Sequence, residues 1–504
     1  MSKIGIDFGT TNSSLVAYDK NQDTFHYFGS ELEATKPTPS VVWYHDDRID
    51  VGKTAKDNYN KFCDVSGHHM EMSIKSKLGL GKRMAIFGEL VEPYSVAAKI
   101  IKHLKNIVIN AEATKSGVSL DSAVFTIPVN FSGKQRVDLR KAAELSGIAV
   151  ETFVHEPFAA LIGHLYSNKN KGALRVPNNS YMLVFDWGGG TLDITVIKAE
   201  NQQMYEMGTS ELSGIAGDKF DLELANFVRN KFVEKHLAHF DAEYIDKMLD
   251  EKQDKLISMA EQCKIALSTT TESEIWVEYV LHNPKTKTTY DIEEKIIRSD
   301  FEKCIQRHLD SAINRIDVAI KNAGISPEEI SFVLMTGGTS NIPLVRAAIE
   351  DKFGSRVQTA SNPDMVIAQG AAVISEMGWV PYLSKNIMIE LSDSSYWTAF
   401  EKGMPLVRGQ SSERQEVFTC VDTRDSEAKL IVVEGITKTS KDRNLAVLNI
   451  PVNHVPSLRE PDDVVINLSI DNNFVLSVKG HGVYIEAKRK TIEVYDICFG
   501  IEMR

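Results

Sequence analysis

One local pattern occurs twice in the chain. "IGIDFGTTNSSLVAY" places Asp7 at the end of an apolar strand, followed by a Gly-Thr-Thr turn and a second apolar strand; "MLVFDWGGGTLDITVI" repeats this with Asp186, three glycines and Thr191. Glycine permits the backbone angles of such a turn and lets its N–H groups come close to an anion, while threonine hydroxyls add donors. Two such hairpins facing each other would grip a polyphosphate from both sides. Aspartates beside phosphates make sense only with a hard, partly hydrated cation such as Mg²⁺ between them. A third glycine-rich turn, "MTGGTSNIP" from Met335 to Pro343, follows a strand and opens a helix, which suits an α-phosphate and nucleoside. A lone "GGG" is most often a structural turn, and "DFGTT" by itself could be an ordinary strand end. The three together, in order and in matching strand contexts, predict two related α/β lobes closing over a nucleotide.

With 504 residues the chain exceeds the size at which one core stops growing, so several domains are expected. From Ile4 to about Met377, strand-like runs alternate with helical patterns, as in "SAVFTIPV" before "SGKQRVDLRKAAELSG" and "ISFVLMTGG" before "NIPLVRAAIEDKFG". Leu249, Leu256, Met259, Ala260, Cys263 and Leu267 recur at helical spacing and predict one long helix from about Asp246 to Ser268. Near "EMGWVPYLSKN" the pattern changes. Short alternating runs take over, such as "VINLSI", a "DNN" turn and "FVLSVKG", with no helical segment after them. The reading therefore divides the chain into an α/β region at 1–377, a linker at 378–386 and a mostly antiparallel β domain at 387–504.

The net charge of −12 opposes binding to nucleic acid, and "KRK" at Lys488 to Lys490 reads as a solvated strand end. No signal peptide and no stretch of about eighteen apolar residues is present, so a cytoplasmic protein without membrane association is expected. Cys63, Cys263, Cys304, Cys420 and Cys498 are odd in number and dispersed, as reduced thiols would be. Two motifs are decoys. "VGKTAK" lacks the glycine that a phosphate loop needs at position 47, which is Asp47; "HEPFA" has Ala159 and Pro157 where a zinc helix needs histidine and a helix former. His68 and His69 stand without ligand-like neighbours and read as a loop.

"IGIDFGTTNSSLV", "SAVFTIPVNFSGKQR", "AELSGI", "HEPFAAL", "VFDWGGGTLDITV", "IAGDKFD", "EQCKIALS", "VLMTGGTSNIPLVR" and "NPDMVIAQGAAV" occur in an order that resembles the seventy-kilodalton heat-shock chaperones of the DnaK type. The match spans about residues 1–377 and is fainter beyond, where "KGMPLVRGQSSERQEVF", "LIVVEGI" and "VINLSIDNNFVLSVKG" look like a peptide-binding β-sandwich in outline. The resemblance implies an actin-like ATPase domain, with duplicated RNase H-like lobes, followed by a smaller mostly-β sandwich domain. It implies ATP/ADP and Mg²⁺ as cofactors, with K⁺ a further candidate ion. Asp7 and Asp186 would hold hydrated Mg²⁺, and Gly9, Thr10, Thr11, Asn12, Gly188, Gly189, Gly190 and Thr191 would surround the phosphates. Lys75 would position the γ-phosphate and attacking water beside Glu156, with Asp193 close by. Gly217, Glu261, Lys264, Ser268, Gly337, Gly338, Asn341 and Asp364 would contact the nucleotide, largely at the nucleoside. Pro128, Arg136 and Glu156 would couple nucleotide state to the second domain.

The chain also departs from the family pattern. Asn341 and Ile265 stand where arginines commonly stack on adenine, which implies looser ATP binding. Ala216 and Lys219 alter a glycine-acidic element, and the linker lacks the usual leucine run. Thr152 and His155 replace residues that help receive a J-domain, so a divergent J-domain co-chaperone and an exchange factor are the expected helpers. The resemblance implies a short form without the helical lid and hence weak, fast binding of clients. The principal expectation is a monomeric chaperone that slowly hydrolyses ATP and binds extended apolar polypeptide segments. A nucleotide-gated module for one dedicated partner is the alternative, and an actin-like filament protein or kinase the third reading.

Overall fold

A computed structural model describes all of the chain except residues 31–32, 46–47, 63–64, 112–116, 169–177, 408–409, 420–425, 440–442, 454–461, 496 and 504. Cys63 and Cys420 lie outside the described residues.

The repeated sequence pattern becomes a repeated topology. In the first lobe, strand Ser2–Phe8 pairs antiparallel with Asn12–Asp19 and parallel with Val118–Ile127, which pairs parallel with Ala149–His155; Thr24–Phe28 lies at the antiparallel edge. In the second lobe, Ser180–Trp187 pairs antiparallel with Thr191–Glu200 and parallel with Ile330–Thr336, which pairs parallel with Val357–Thr359; Gln203–Ser213 follows at the antiparallel side. These strands read as nearly unbroken apolar runs because helices cover them. Between the lobes, helix Val366–Met377, buried from Val366 to Ser375, packs on the first sheet and on helix Glu156–Ser167.

The helical pattern predicted over 246–268 is two helices, Ala242–Asp250 and Gln253–Leu267. Lys252 leaves helical geometry (φ −111°, ψ 5°). Leu249 and Leu256 are seven residues apart, so apolar spacing runs straight through the break; it is tertiary packing of Ile245 and Leu249 under the neighbouring hairpin that turns the first helix.

Beyond the lobes, Tyr396–Phe400, Asn386–Glu390, Glu427–Gly435 and Arg443–Pro451 form one antiparallel sheet, and Ser412–Thr419, Asp463–Ile470, Leu476–Gly482 and Lys490–Val494 another. Ile389, Val432 and Ile450 of the first share a core with Ile466, Leu468 and Val478 of the second. The two sheets thus stack as a sandwich. The "DNN" turn joins the expected strands, with Ile470 opposite Leu476. That core continues into the first lobe through Phe131 and Ile127. The last described strand, Phe499–Glu502, leaves the sandwich and enters the second lobe's sheet between Gln203–Ser213 and Pro381–Leu383.

No helix is long and apolar enough to cross a membrane among the described residues. Cys263, Cys304 and Cys498 are free thiols.

Candidate nucleotide-binding and catalytic site

The duplicated topology brings duplicated chemistry to the cleft. Asp7 ends its strand in register with Thr126, whose hydroxyl donates to Asp7 Oδ1 at 2.7 Å; Asp186 ends the corresponding strand in register with Thr336. Sequence reasoning did not single out Thr126, although "FTIPV" and "LMTGG" place the two threonines equivalently.

The glycine turns face one another across the cleft. A β-carbon on Gly189 would come within 2.3 Å of Thr11 Oγ1, and one on Gly190 would lie 3.8 Å from Thr10 Cγ2. The third turn closes on the second: Gly337 has φ +80°, and a β-carbon there would meet Trp187 O at 2.4 Å and Asp186 Oδ1 at 2.6 Å. Glycine is required at both places by close approach, and at Gly337 also by the backbone angle. Thr339 Oγ1 donates to Gly188 O at 2.7 Å, and Gly217 N donates to the same carbonyl at 3.1 Å. Gly9 N donates to Ser13 Oγ at 3.2 Å, and Asn12 is exposed at the start of the next strand. Gly338 opens the short turn that Asn341 ends.

Lys75 is only 5% exposed, on a single helical turn entered through Ser73 at φ +55°. Its Nζ lies 2.8 Å from Glu156 Oε1. Glu156 is the first residue of its helix, where the dipole favours an anion. Burial opposes the lysine's charge, but Glu156 and Asp7 outweigh it and hold the ammonium protonated. Against this one cation stand Asp7, Asp186, Asp193 and Glu156. Burial, then the charge of Glu156, pushes Asp7 up to about 6 and Asp193 to about 7; Asp186 is raised for the same two reasons, with Asp193 and Asp7 adding to them. Thr191 Oγ1 donates to Asp193 Oδ2 at 2.9 Å.

Such an excess of buried negative charge fits a hard cation. Among the described residues no three His, Cys, Asp or Glu side chains converge closely enough to hold a metal. Asp7 and Asp186, at the ends of the paired strands, are the residues that would hold such an ion.

On the nucleoside side, Lys264 Nζ donates to Gly217 O at 3.0 Å and Asp221 Oδ2 at 2.8 Å, and Ser268 Oγ to Lys264 O at 3.4 Å. Glu261 pairs with Lys56 at 2.6 Å, joining helix Lys53–Phe62 of the first lobe to Gln253–Leu267 of the second. Neither Lys56 nor Asp221 is a candidate from the sequence, although they end the strings "VGKTAK" and "IAGDKFD". Ile265 is 60% exposed, and Asn341 and Asp364 are exposed, so this rim of the cleft is open. A cavity of about 680 Å³ lies elsewhere, between strand Thr24–Phe28 and helix Pro93–Asn110.

Comparison with known proteins bears on the chain as a whole. The model of the family described as Hsp70 protein matches residues 3–496, nearly the whole chain. The chain belongs to the Hsp70 family. Among similar proteins, the chaperone protein DnaK of Thermus thermophilus is 27% identical over 87% of this chain and 72% of its own length. That of Mycoplasmopsis pulmonis is 29% identical over 94% of this chain and 76% of its own, and that of Deinococcus proteolyticus 25% over the same shares.

In this Hsp70 the residues expected to couple the domains lie where lobe and sandwich meet. Arg136 is 1% exposed and donates to Phe131 O at 2.9 Å and to Asn473 O of the sandwich turn at 3.1 Å. Arg140 adds bonds to Asn473 Oδ1 and Asn472 O, each at 2.8 Å. The Phe131 ring lies 5.7 Å beneath Lys75 Nζ, so the sandwich turn and Lys75 share neighbours. Pro128 follows Ile127, whose register partner is His155. Thr152 and His155, at J-domain positions, are 8% and 2% exposed.

Proposed function

We propose how this ATP-dependent chaperone divides its work. Residues 1–377 bind and hydrolyse ATP, 378–386 link, and 387–504 bind extended apolar polypeptide segments by strand addition. The observation that carries the reading is the Gly189–Thr11 approach beside the buried Lys75–Glu156 pair: phosphate donors on both walls, with a fixed cation and carboxylate at one end.

The amides of Thr10, Thr11, Gly189 and Gly190 hold phosphate oxygens, the Gly188 N–H being held by Thr191 O at 3.0 Å, and Gly337 and Gly338 hold the α-phosphate end. Lys75 stays charged and orients the γ-phosphate and a water molecule. Glu156, paired to Lys75, accepts a hydrogen bond from that water, and Asp193 polarises it from the other strand. Phosphoryl transfer asks mainly for positioning and charge neutralisation, which these groups supply. When bound, Mg²⁺ supplies positive charge to the phosphates. Turnover is slow because the nucleophile is a water molecule that these groups orient and polarise but do not deprotonate ahead of transfer. ATP alters peptide affinity to the extent that it prefers one arrangement of lobes and sandwich. Burial of Thr152 and His155 in the docked arrangement favours a dedicated partner, or a divergent J-domain, over a standard one.

Single-turnover ATP hydrolysis by wild type and Lys75→Ala, with and without a panel of extended apolar peptides, tests this. The expected result is hydrolysis by wild type only, accelerated by several peptides. Hydrolysis that no peptide alters would move the dedicated-partner reading ahead, and retained turnover in Lys75→Ala would remove the catalytic assignment.

A further inference from the structure

We propose that strand Phe499–Glu502 is an intramolecular clasp through which docking of the sandwich sets the position of Glu156, with His155 as the positioning residue between them. The inference rests on the reading of Glu156 as the carboxylate beside the attacking water.

The strand fills a gap that two other segments leave open. On one side Tyr205, Met204 and Gln203 pair with Gly500, Ile501 and Glu502; on the other, Leu383, Tyr382 and Pro381 pair with Phe499, Gly500 and Ile501. Met503 N donates to Gln202 O at 2.8 Å and Ser384 N to Cys498 O at 3.2 Å. Without it, both neighbours would present unpaired N–H and C=O groups at a sheet edge. Gly500 is required: a β-carbon there would lie 2.4 Å from Met204 O and 2.8 Å from the Tyr382 hydroxyl.

The same few residues bind three bodies. Upstream, Cys498 N donates at 2.7 Å to Glu434, a fully buried sandwich carboxylate that Arg443 holds at 2.9 Å. Ile501 belongs to the core in which both lobes meet the interlobe helix, whereas Phe499 belongs to the core shared by first lobe and sandwich. The Phe499 ring lies 3.9 Å from the His155 ring and 4.9 Å from Phe474 of the sandwich.

His155 is the link to the chemistry. Its Nδ1 lies 2.7 Å from Glu206 Oε1, on the strand the clasp pairs with and one residue beyond Tyr205. Its Nε2 finds no hydrogen-bond partner among the described residues, so the Glu206 bond and the Phe499 ring fix the imidazole. His155 precedes Glu156 and enters its helix in extended geometry (φ −65°, ψ 136°). Withdrawal of the clasp removes the ring that holds the imidazole, and the first turn of the helix, which carries Glu156, is free to shift relative to Lys75. In the open state of the clasp the strand has left both sheet neighbours, which gives two discrete states, as coupling between sites requires.

The test uses the full chain. Phe499→Ala, Phe499→Leu, His155→Ala, the Phe499→Ala/His155→Ala pair and Gly500→Val are compared in single-turnover hydrolysis at saturating Mg-ATP, in ATP affinity by calorimetry, and in hydrogen exchange at 203–206 and 381–384. The expected result is a change in hydrolysis rate of at least about fivefold for Phe499→Ala and for His155→Ala, the lower end of ordinary coupling, with ATP affinity within about twofold. The double variant should then do no more than the larger single one. Gly500→Val should lose exchange protection at both flanking segments together. Should Phe499→Ala unfold, Phe499→Leu, which keeps apolar volume without the ring, carries the same expectation. Additive effects, or unchanged rates while both segments lose protection, overturn the clasp. If Lys75→Ala still hydrolyses ATP, the catalytic reading fails first; if it is inactive and the Phe499 variants match wild type, only the clasp fails.

Discussion

Lys75→Met keeps the length and volume of a side chain that is 5% exposed while deleting the cation that, among the described residues, faces Asp7, Asp186, Asp193 and Glu156. At 2.8 Å from Glu156 the gross attraction is about 6 kcal/mol at an effective dielectric of about 20. Desolvation offsets much of that, and removing one partner of a buried pair typically costs about 3–5 kcal/mol because the other charge is stranded. Asp7, Asp186 and Asp193, whose carboxyls burial already pushes up, relieve the loss by protonation. Asp7 and Asp193 are already held up to about 6 and about 7. In Lys75→Met they rise further, so the folded variant binds protons that the unfolded chain releases near the ordinary carboxylate range. Its stability is then greatest at low pH and falls as pH rises through neutrality. Urea unfolding at pH 5.5 and pH 8 should show the deficit at about 3–5 kcal/mol at the higher pH and clearly smaller at the lower, with Mg²⁺-nucleotide restoring part of it. Single-turnover hydrolysis should fall by about 10²–10³. A deficit below about 1 kcal/mol that does not vary with pH would refute the argument, because it would mean that Lys75 is not the counter-charge of this cluster.

Three further outcomes follow from the same geometry. Gly189→Ala puts a methyl 2.3 Å from Thr11 Oγ1, where it pushes the facing turns apart; ATP affinity measured by calorimetry should weaken by about tenfold or more while thermal unfolding changes little. Because burial pushes Asp7 up to about 6 and Asp193 up to about 7, metal-free protein should lose stability as pH rises through that window, and Mg²⁺-nucleotide binding should release protons there; calorimetry in buffers of different ionisation enthalpy measures the release, which Asp7→Asn should diminish. Asn341→Arg places a guanidinium at an exposed position of the third glycine-rich turn and should tighten ATP binding by about 1–2 kcal/mol, with a smaller gain for a nucleotide whose base stacks less well.

Much of the site was legible in the sequence because its chemistry is local. A strand, an aspartate, a glycine turn and a threonine are neighbours in the chain, and their duplication around Asp7 and Asp186 foretold the duplicated sheets. Apolar alternation around "DNN" gave a hairpin for the same reason: register is set between residues a few positions apart. What failed or was missed depends on contacts between distant residues. The helix break at Lys252 is set by what Ile245 and Leu249 pack against, and periodicity runs through it unchanged. Lys56, Asp221 and Thr126 acquire partners only when separate elements meet.

The end of the chain marks the boundary most sharply. "CFGIEMR" has the short apolar alternation of a strand, and the sequence determines that much. Which sheet it joins is decided by where open edges and a glycine-sized gap coincide, and they coincide on the second lobe, between Gln203–Ser213 and the linker strand. Local pattern fixes the conformation of each segment and the chemistry of each turn. Only the assembled surfaces choose its partner, because edge pairing and burial of Phe499 and Ile501 are free-energy terms that exist only once those surfaces have formed.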